Sequence, residues 1–211
     1  MPMYEQDYVR IDGCVIAYDG VTRPEIQQQG DNAGKPKWTL KVLVPPQSPD
    51  LGLFDQLSRR ALQTSKFRGQ LPAGGRMPIG LAQPGEFNDM FLGWAVINAK
   101  SGRKAPDVYS EDGKLLSAIE YGRLIFTGQR VNVLVGCYEY DKAGNKGISA
   151  GLEAIQIVTS ANAQFIALSG SGVNTAGAFG GGGTQPPQQP QYQPPQQPPG
   201  VQQAHHYLPP Q

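Results

Sequence analysis

No charged side chain follows Glu153 in this chain of 211 residues. All 18 Lys and Arg and all 17 Asp and Glu lie at or before it, and from Ser169 the sequence runs "SGSGVNTAGAFGGGGTQPPQQPQYQPPQQPPGVQQAHHYLPPQ". Gly, Pro, Gln and Ser supply too little apolar surface to offset the entropy of ordering a chain, and the prolines break helices and strand ladders alike. One globular domain over 1–168 and a disordered tail over 169–211 are therefore expected.

Inside the domain the apolar residues repeat mostly with period two. "VRIDGCVIAY", Val9 to Tyr18, is rich in β-branched residues and bounded by turn formers, which predicts a strand. In "KWTLKVLVPP" Trp38, Leu40, Val42 and Val44 alternate with Lys37, Thr39 and Lys41, which predicts a half-buried strand with a basic outer surface. The period then changes. Ser48 suits a helix N-cap, Pro49 the first turn and Asp50 the positive end of the dipole, with Leu53, Phe54, Leu57 and Ala61 as the apolar stripe.

A Gly/Pro-punctuated loop from Phe67 to Asp89 follows, then strands at "MFLGWAVINAK" and "GRLIFTG", then a hairpin whose arms flank "YDKAGNKG". Five or six strands that do not alternate with helices predict a mainly β fold: a small antiparallel Greek-key barrel of the OB type, with a β-sandwich as the other arrangement.

The residue inventory excludes much chemistry. The histidines, His205 and His206, stand in the tail, so no Ser/His or Cys/His pair forms inside the domain. "AGGRMPIG" lacks the lysine and hydroxyl of a phosphate loop, and the acidic turns lack calcium-loop spacing. Cys14 and Cys137 sit far apart in apolar runs and read as buried reduced thiols. No segment approaches the length of a membrane helix or carries a leader pattern, so the expectation is a cytosolic protein without catalysis or cofactor. Metal sites built from carboxylates alone are the enzymatic route left open.

What remains is aromatic residues interleaved with basic ones. From Arg59 to Lys104 eight basic residues face two acidic ones, Glu86 and Asp89, an excess that the overall net charge of +1 conceals. Single-stranded nucleic acid is held by flat rings that stack on bases and by cations that follow phosphates. "SKFRGQLPAGGR" offers Lys66, Phe67, Arg68 and Arg76; "WAVINAKSGRKAPDVY" offers Trp94, Lys100, Arg103, Lys104 and Tyr109. The hairpin offers Tyr138 and Tyr140 beside Lys142 and Lys146, and Lys41 adds an outward cation. Each ring has a plainer reading: Trp94 as barrel core, Trp38 as core, and Tyr138 and Tyr140 as cover for a sheet whose other face carries Val131, Val133, Val135 and Cys137.

The order "KWTLKVLVPP", helix, "GWAVINAKSGRKAPDVY", "GQRVNVLVGCYEYDKAGNKGISAGLEAIQIV" resembles a family of bacteriophage single-stranded-DNA-binding proteins with an OB fold, distantly similar to the helix-destabilising protein of T7-like phages. The resemblance spans most of residues 8–160. It implies sequence-independent binding of single-stranded DNA in phage replication, recombination and repair, in the cytoplasm of the bacterial host. It places Trp94, Lys100, Arg103, Lys104, Tyr109 and the hairpin tyrosines near the groove. Many proteins of this functional type end in an acidic tip, and this tail has no acidic residue. The tail reads as a solvated spacer or as Pro-rich docking peptides for replication or recombination proteins. A homodimer is compatible with the sequence. The rival reading is a structural or assembly protein of a phage with a disordered interaction arm.

Overall fold

The computed structural model describes residues 7–28, 32–102, 104–142 and 144–159, so the tail and its two histidines lie outside the described residues. The N-terminal strand is longer than predicted: β1 runs from Tyr8 to Ile26. Register breaks between Ile11 and Cys14, Ile16 and Tyr18, and Gly20 and Glu25 let it bend without ending. At the first break Gly13 takes a φ of 67°, and its N–H donates to the Asn132 side chain at 2.9 Å. A bent strand can pair along both edges, here with β2 (Pro36–Val44) and β6 (Arg130–Lys142).

The helix α1 (Asp50–Thr64) begins one residue later than the Ser48 cap predicts. Pro49 holds the N-cap position without a side-chain bond, and the Ser48 hydroxyl is buried without a hydrogen-bond partner. The Asp50 carboxylate accepts instead from the Asp12 N–H at 3.0 Å, tying the helix start to the bend in β1. Phe54 and Leu57 are buried as the period predicts, whereas Leu53 is exposed and Leu51 packs on the core in its place.

The remaining elements are β3 (Ile79–Leu81), β4 (Ala95–Ser101), β5 (Asp107–Tyr109), α2 (Ala118–Tyr121) and β7 (Asn145–Ile157). Two predicted strands are corrected. "MFLGW" makes a 3-10 turn, Asp89–Phe91, in which the Asn88 side chain accepts from the Met90 N–H, and Gly93 at φ 81° turns the chain before β4 starts. "GRLIFTG" follows α2 as turns rather than a strand. The missed signal is a capping box: the Ser117 hydroxyl accepts from the Glu120 N–H, and the Glu120 carboxylate accepts from the Ser117 N–H at 2.7 Å. Those bonds to Ser117, helped by Lys114, pull the Glu120 carboxyl down to about 2.

The sheet order is β3-β4-β2-β1-β6-β7-β5. β4 also pairs with β7 in parallel, Ala99 with Ala150 and Lys100 with Gly151, which closes β4, β2, β1, β6 and β7 into a five-stranded barrel. This is the barrel expected, and the sandwich falls away. Its interior is filled by alternate residues such as Ile11, Leu40, Val42, Ile97, Val133 and Ile155, with Phe54 and Leu57 of α1 joining them. Burying one side chain of this size stabilises the fold by roughly 1.5–3 kcal/mol, so the alternation decides which face turns inward. A second, smaller cluster of Val15, Leu43, Ala82 and Phe91 lies apart from it, flanked by Phe87, Trp94 and Val96. Among the described residues no helix is long and apolar enough to cross a membrane.

Candidate functional site

A cleft of about 1550 Å³ runs past the turn end of the β1–β2 hairpin, over β4, to the β6–β7 hairpin and one side of α1. Its floor is made by alternation. Val131, Val133 and Val135 point into the barrel, so Tyr138 and Tyr140 point outward and line the cleft. Cys137, between them and the valines, is partly buried on its wall, and burial pushes its thiol up to about 12. Cys14 is wholly buried, donates weakly to the Ile11 carbonyl, and is pushed higher still by its burial.

Glycines lie beside the aromatic floor. Tyr8 on β1 pairs with Gly136 on β6, which pairs with Gly151 on β7. A Cβ on Gly136 would stand 3.0 Å from the Tyr8 ring, and one on Gly151 would stand 3.5 Å from the Tyr138 ring. Each tyrosine therefore lies over bare backbone, and Tyr138 remains 43% exposed. Rings supported by backbone instead of by other side chains keep surface free for a ligand.

The long loop after α1 is fastened across the hairpin. The Arg76 N–H donates to the Lys146 carbonyl at 3.1 Å, and the Ile148 N–H donates to the Arg76 carbonyl at 2.9 Å. Between them Gly147 takes a φ of 141°, and any Cβ there would collide with the Arg76 backbone. That contact requires glycine and delivers Arg76 to the cleft. At the loop's start the Lys66 N–H donates to Glu139 at 2.8 Å, and its ammonium pairs with Asp141 at 3.1 Å.

The charges lining the cleft are Lys37, Arg60, Arg76, Lys100, Lys104 and Lys142 against Asp7, Glu139 and Glu153. Lys37 pairs with Glu25 at 3.5 Å, Arg60 with Asp7 at 3.6 Å and Lys104 with Asp107 at 3.3 Å. Arg76, Lys100 and Lys142 form no ion pair among the described residues. Partial burial, then the positive charges of Lys37 and Arg76, hold the Lys100 ammonium below its ordinary value, with Glu25 opposing them. Three positive groups thus converge with one carboxylate between them, a field that favours an incoming anion.

Of the residues singled out in the sequence, the cleft gathers Arg76, Lys100, Lys104, Tyr138, Tyr140 and Lys142. Others go elsewhere. Trp94, the residue before β4, continues the outward parity of Asn98 and Lys100 but packs edge-on against Phe91, ring centres 5.0 Å apart, beside the smaller apolar cluster. Lys41 pairs with Glu86 and sits 5.9 Å from the Phe87 ring, and Lys66 sits 5.5 Å from the Phe67 ring. Arg68 is exposed at a positive φ of 49°, and Tyr109 lies on β5 at a sheet edge. Lys146 offers its carbonyl to Arg76, and Arg103 lies outside the described residues. Trp38 is half-buried and belongs to neither apolar cluster.

Arg60, counted in the basic excess from Arg59 to Lys104, also lines the cleft, as do Tyr8, Lys37 and Asn98, which were not among the candidate contacts. Lys37 carried a signal, its place on the basic outer face of β2. Tyr8 carried none, because its glycine partner stands on another strand far along the chain. Among the described residues no group of three or more His, Cys, Asp or Glu side chains converges as a metal site.

A family model described as "Enterobacter phage Enc34, ssDNA-binding protein" matches residues 9–186. Among solved structures, the single-stranded DNA-binding protein from bacteriophage Enc34 is similar with a TM-score of 0.61 at 17% identity, covering 84% of this chain and 92% of that one. The same protein in complex with ssDNA gives a TM-score of 0.58 at 19% identity, covering 74% and 89%. The single-stranded DNA binding protein encoded by bacteriophage T7 gives 0.51 at 14%, covering 72% and 91%. At these identities the likeness to the solved structures is one of fold. Comparison with curated proteins gives no match.

Proposed function

The chain belongs to the family described as "Enterobacter phage Enc34, ssDNA-binding protein", and we propose on that premise that its cleft holds single-stranded DNA without reading sequence. The observation that carries this reading is one cleft in which glycine-supported tyrosines, Tyr8 and Tyr138, lie beside Arg76, Lys100 and Lys142, cations without ion pairs among the described residues. Bases stack on the rings, each stack contributing roughly 1–3 kcal/mol whatever the base. Phosphates run along the cations. No bond is made or broken, and the protein protects single strands during phage replication, recombination and repair in the host cytoplasm. The tail serves as a spacer between domains bound along one strand.

Arg76, Lys100 and Lys142, without ion pairs among the described residues, meet at most three phosphates, which gives a loss of at most about two log units of affinity per log unit of salt, at about 0.7 for each phosphate neutralised. This is gentler than the count of basic residues in the sequence implies, because Lys37, Arg60 and Lys104 already hold carboxylates. The test is fluorescence anisotropy of a labelled thymine oligonucleotide and of a duplex of equal length, titrated with the full chain at several salt concentrations. Tight binding of the single strand, weakened by salt with that slope, supports the reading. Absence of binding to either nucleic acid at low salt overturns it and leaves the assembly protein.

A further inference from the structure

Glu25 stands beside the lysines of the cleft, paired with Lys37 and close enough to Lys100 to act on its charge. It faces Lys37 across the β1–β2 ladder, and its Oε2 accepts from the Lys37 ammonium at 3.5 Å while its Oε1 accepts from the Tyr18 hydroxyl at 3.5 Å. Lys37 lines the cleft together with Lys100 and Arg76, and neither of those two has an ion pair among the described residues. Beside Lys100 in the β2–β4 ladder, and on the same face of β2 as Lys37, lies Thr39, whose other strand neighbour is Gly20. Thr39 is only 8% exposed, yet its hydroxyl has no hydrogen-bond partner. A buried polar atom without a partner is unfavourable, and a ligand oxygen can relieve it. Cations in excess over a single carboxylate, beside an unsatisfied hydroxyl, describe a seat for an oxyanion.

We propose that Lys37, Lys100 and Arg76 form a seat for one backbone phosphodiester, and that Glu25 is its placeholder, neutralising the seat in the free protein and giving way when a strand enters. The inference rests on the reading of the cleft as a site for single-stranded DNA. A phosphodiester carries the same single negative charge as the carboxylate it displaces, so the exchange leaves the local charge balance of the seat unchanged. Glu25 can leave readily, since its side chain is 56% exposed and water takes it up. The same exchange makes binding less sensitive to salt, because the freed carboxylate draws back a cation for the one that the phosphate releases.

The experiment compares wild type, Glu25→Gln, Lys37→Gln and the double variant in full-length protein, by anisotropy of a labelled thymine oligonucleotide across a salt series. Glu25→Gln keeps the shape and an acceptor for Tyr18 while removing the charge. Affinity is expected to rise about two- to fivefold at low salt, the scale of an exposed ion pair. The salt slope is expected to steepen by up to about 0.7. In the Lys37→Gln background the same substitution should gain less, since the pair it breaks is gone. If wild type binds and Glu25→Gln matches it in affinity and slope, or binds more weakly with an unchanged melting temperature, the placeholder is wrong and the cleft reading stands. If wild type binds no single strand, both fall together.

Discussion

The outer face of β4 carries an aromatic neighbourhood at one end and enters the cleft at the other. Just before its start Trp94 meets Phe91 edge-on, in a cluster completed by Val15 and Leu43 and flanked by Phe87. Farther along, Asn98 and Lys100 open into the space where Tyr8 and Tyr138 lie over glycine. Both places combine aromatic rings with lysine, Lys41 beside Phe87 in the first and Lys100 in the second. What differs is the layer below. Apolar side chains under and around a ring use up its surface and make it part of the fold, whereas a glycine leaves that surface for something from outside.

Substitutions at the two ends should separate stability from binding. Trp94→Ala is expected to lower stability by about 2–3 kcal/mol, below the full range for a wholly buried tryptophan because Trp94 is half-buried. Its oligonucleotide affinity should not change. Thermal unfolding beside anisotropy checks this, and a loss of affinity in a variant that still melts near wild type would erase the distinction. Tyr138→Ala should do the reverse, weakening every oligonucleotide alike by roughly 1–3 kcal/mol with little change in melting temperature. Gly136→Ala sharpens the contrast most narrowly. It keeps every ring but places a methyl 3.0 Å from Tyr8, so affinity should fall by about 1 kcal/mol as the ring is displaced. An unchanged affinity there would mean that the glycine support is incidental.

The barrel was legible because period-two alternation in "KWTLKVLVPP" and in the hairpin reports directly which side chains are buried. The outward tyrosines followed from the same count, since the valines already claimed the other face. The site was only half legible. Trp94 and Tyr138 look alike in one dimension, each an aromatic near lysines, and their difference is set by cross-strand neighbours that local sequence does not show. Tyr8 was invisible for that reason, its support coming from Gly136. The length of β1 was missed because Asp19 and Gly20 read as turn formers that end the strand, although a register break lets a strand continue through such residues. Ion pairs were hidden as well: Lys41 and Lys66 counted as free cations until Glu86 and Asp141 were found opposite them.

The barrel closes through two residue pairs, Ala99 with Ala150 and Lys100 with Gly151, and both Lys100 and Gly151 belong to the cleft. The shortest seam of the barrel is thus also part of the surface proposed to take a bound strand. A polymer gripping both lips of that seam acts as a clasp on the fold, and the free energy that holds the strand also resists the breathing of β4 away from β7. Coating a single strand then makes each protein along it more tightly closed than it is alone.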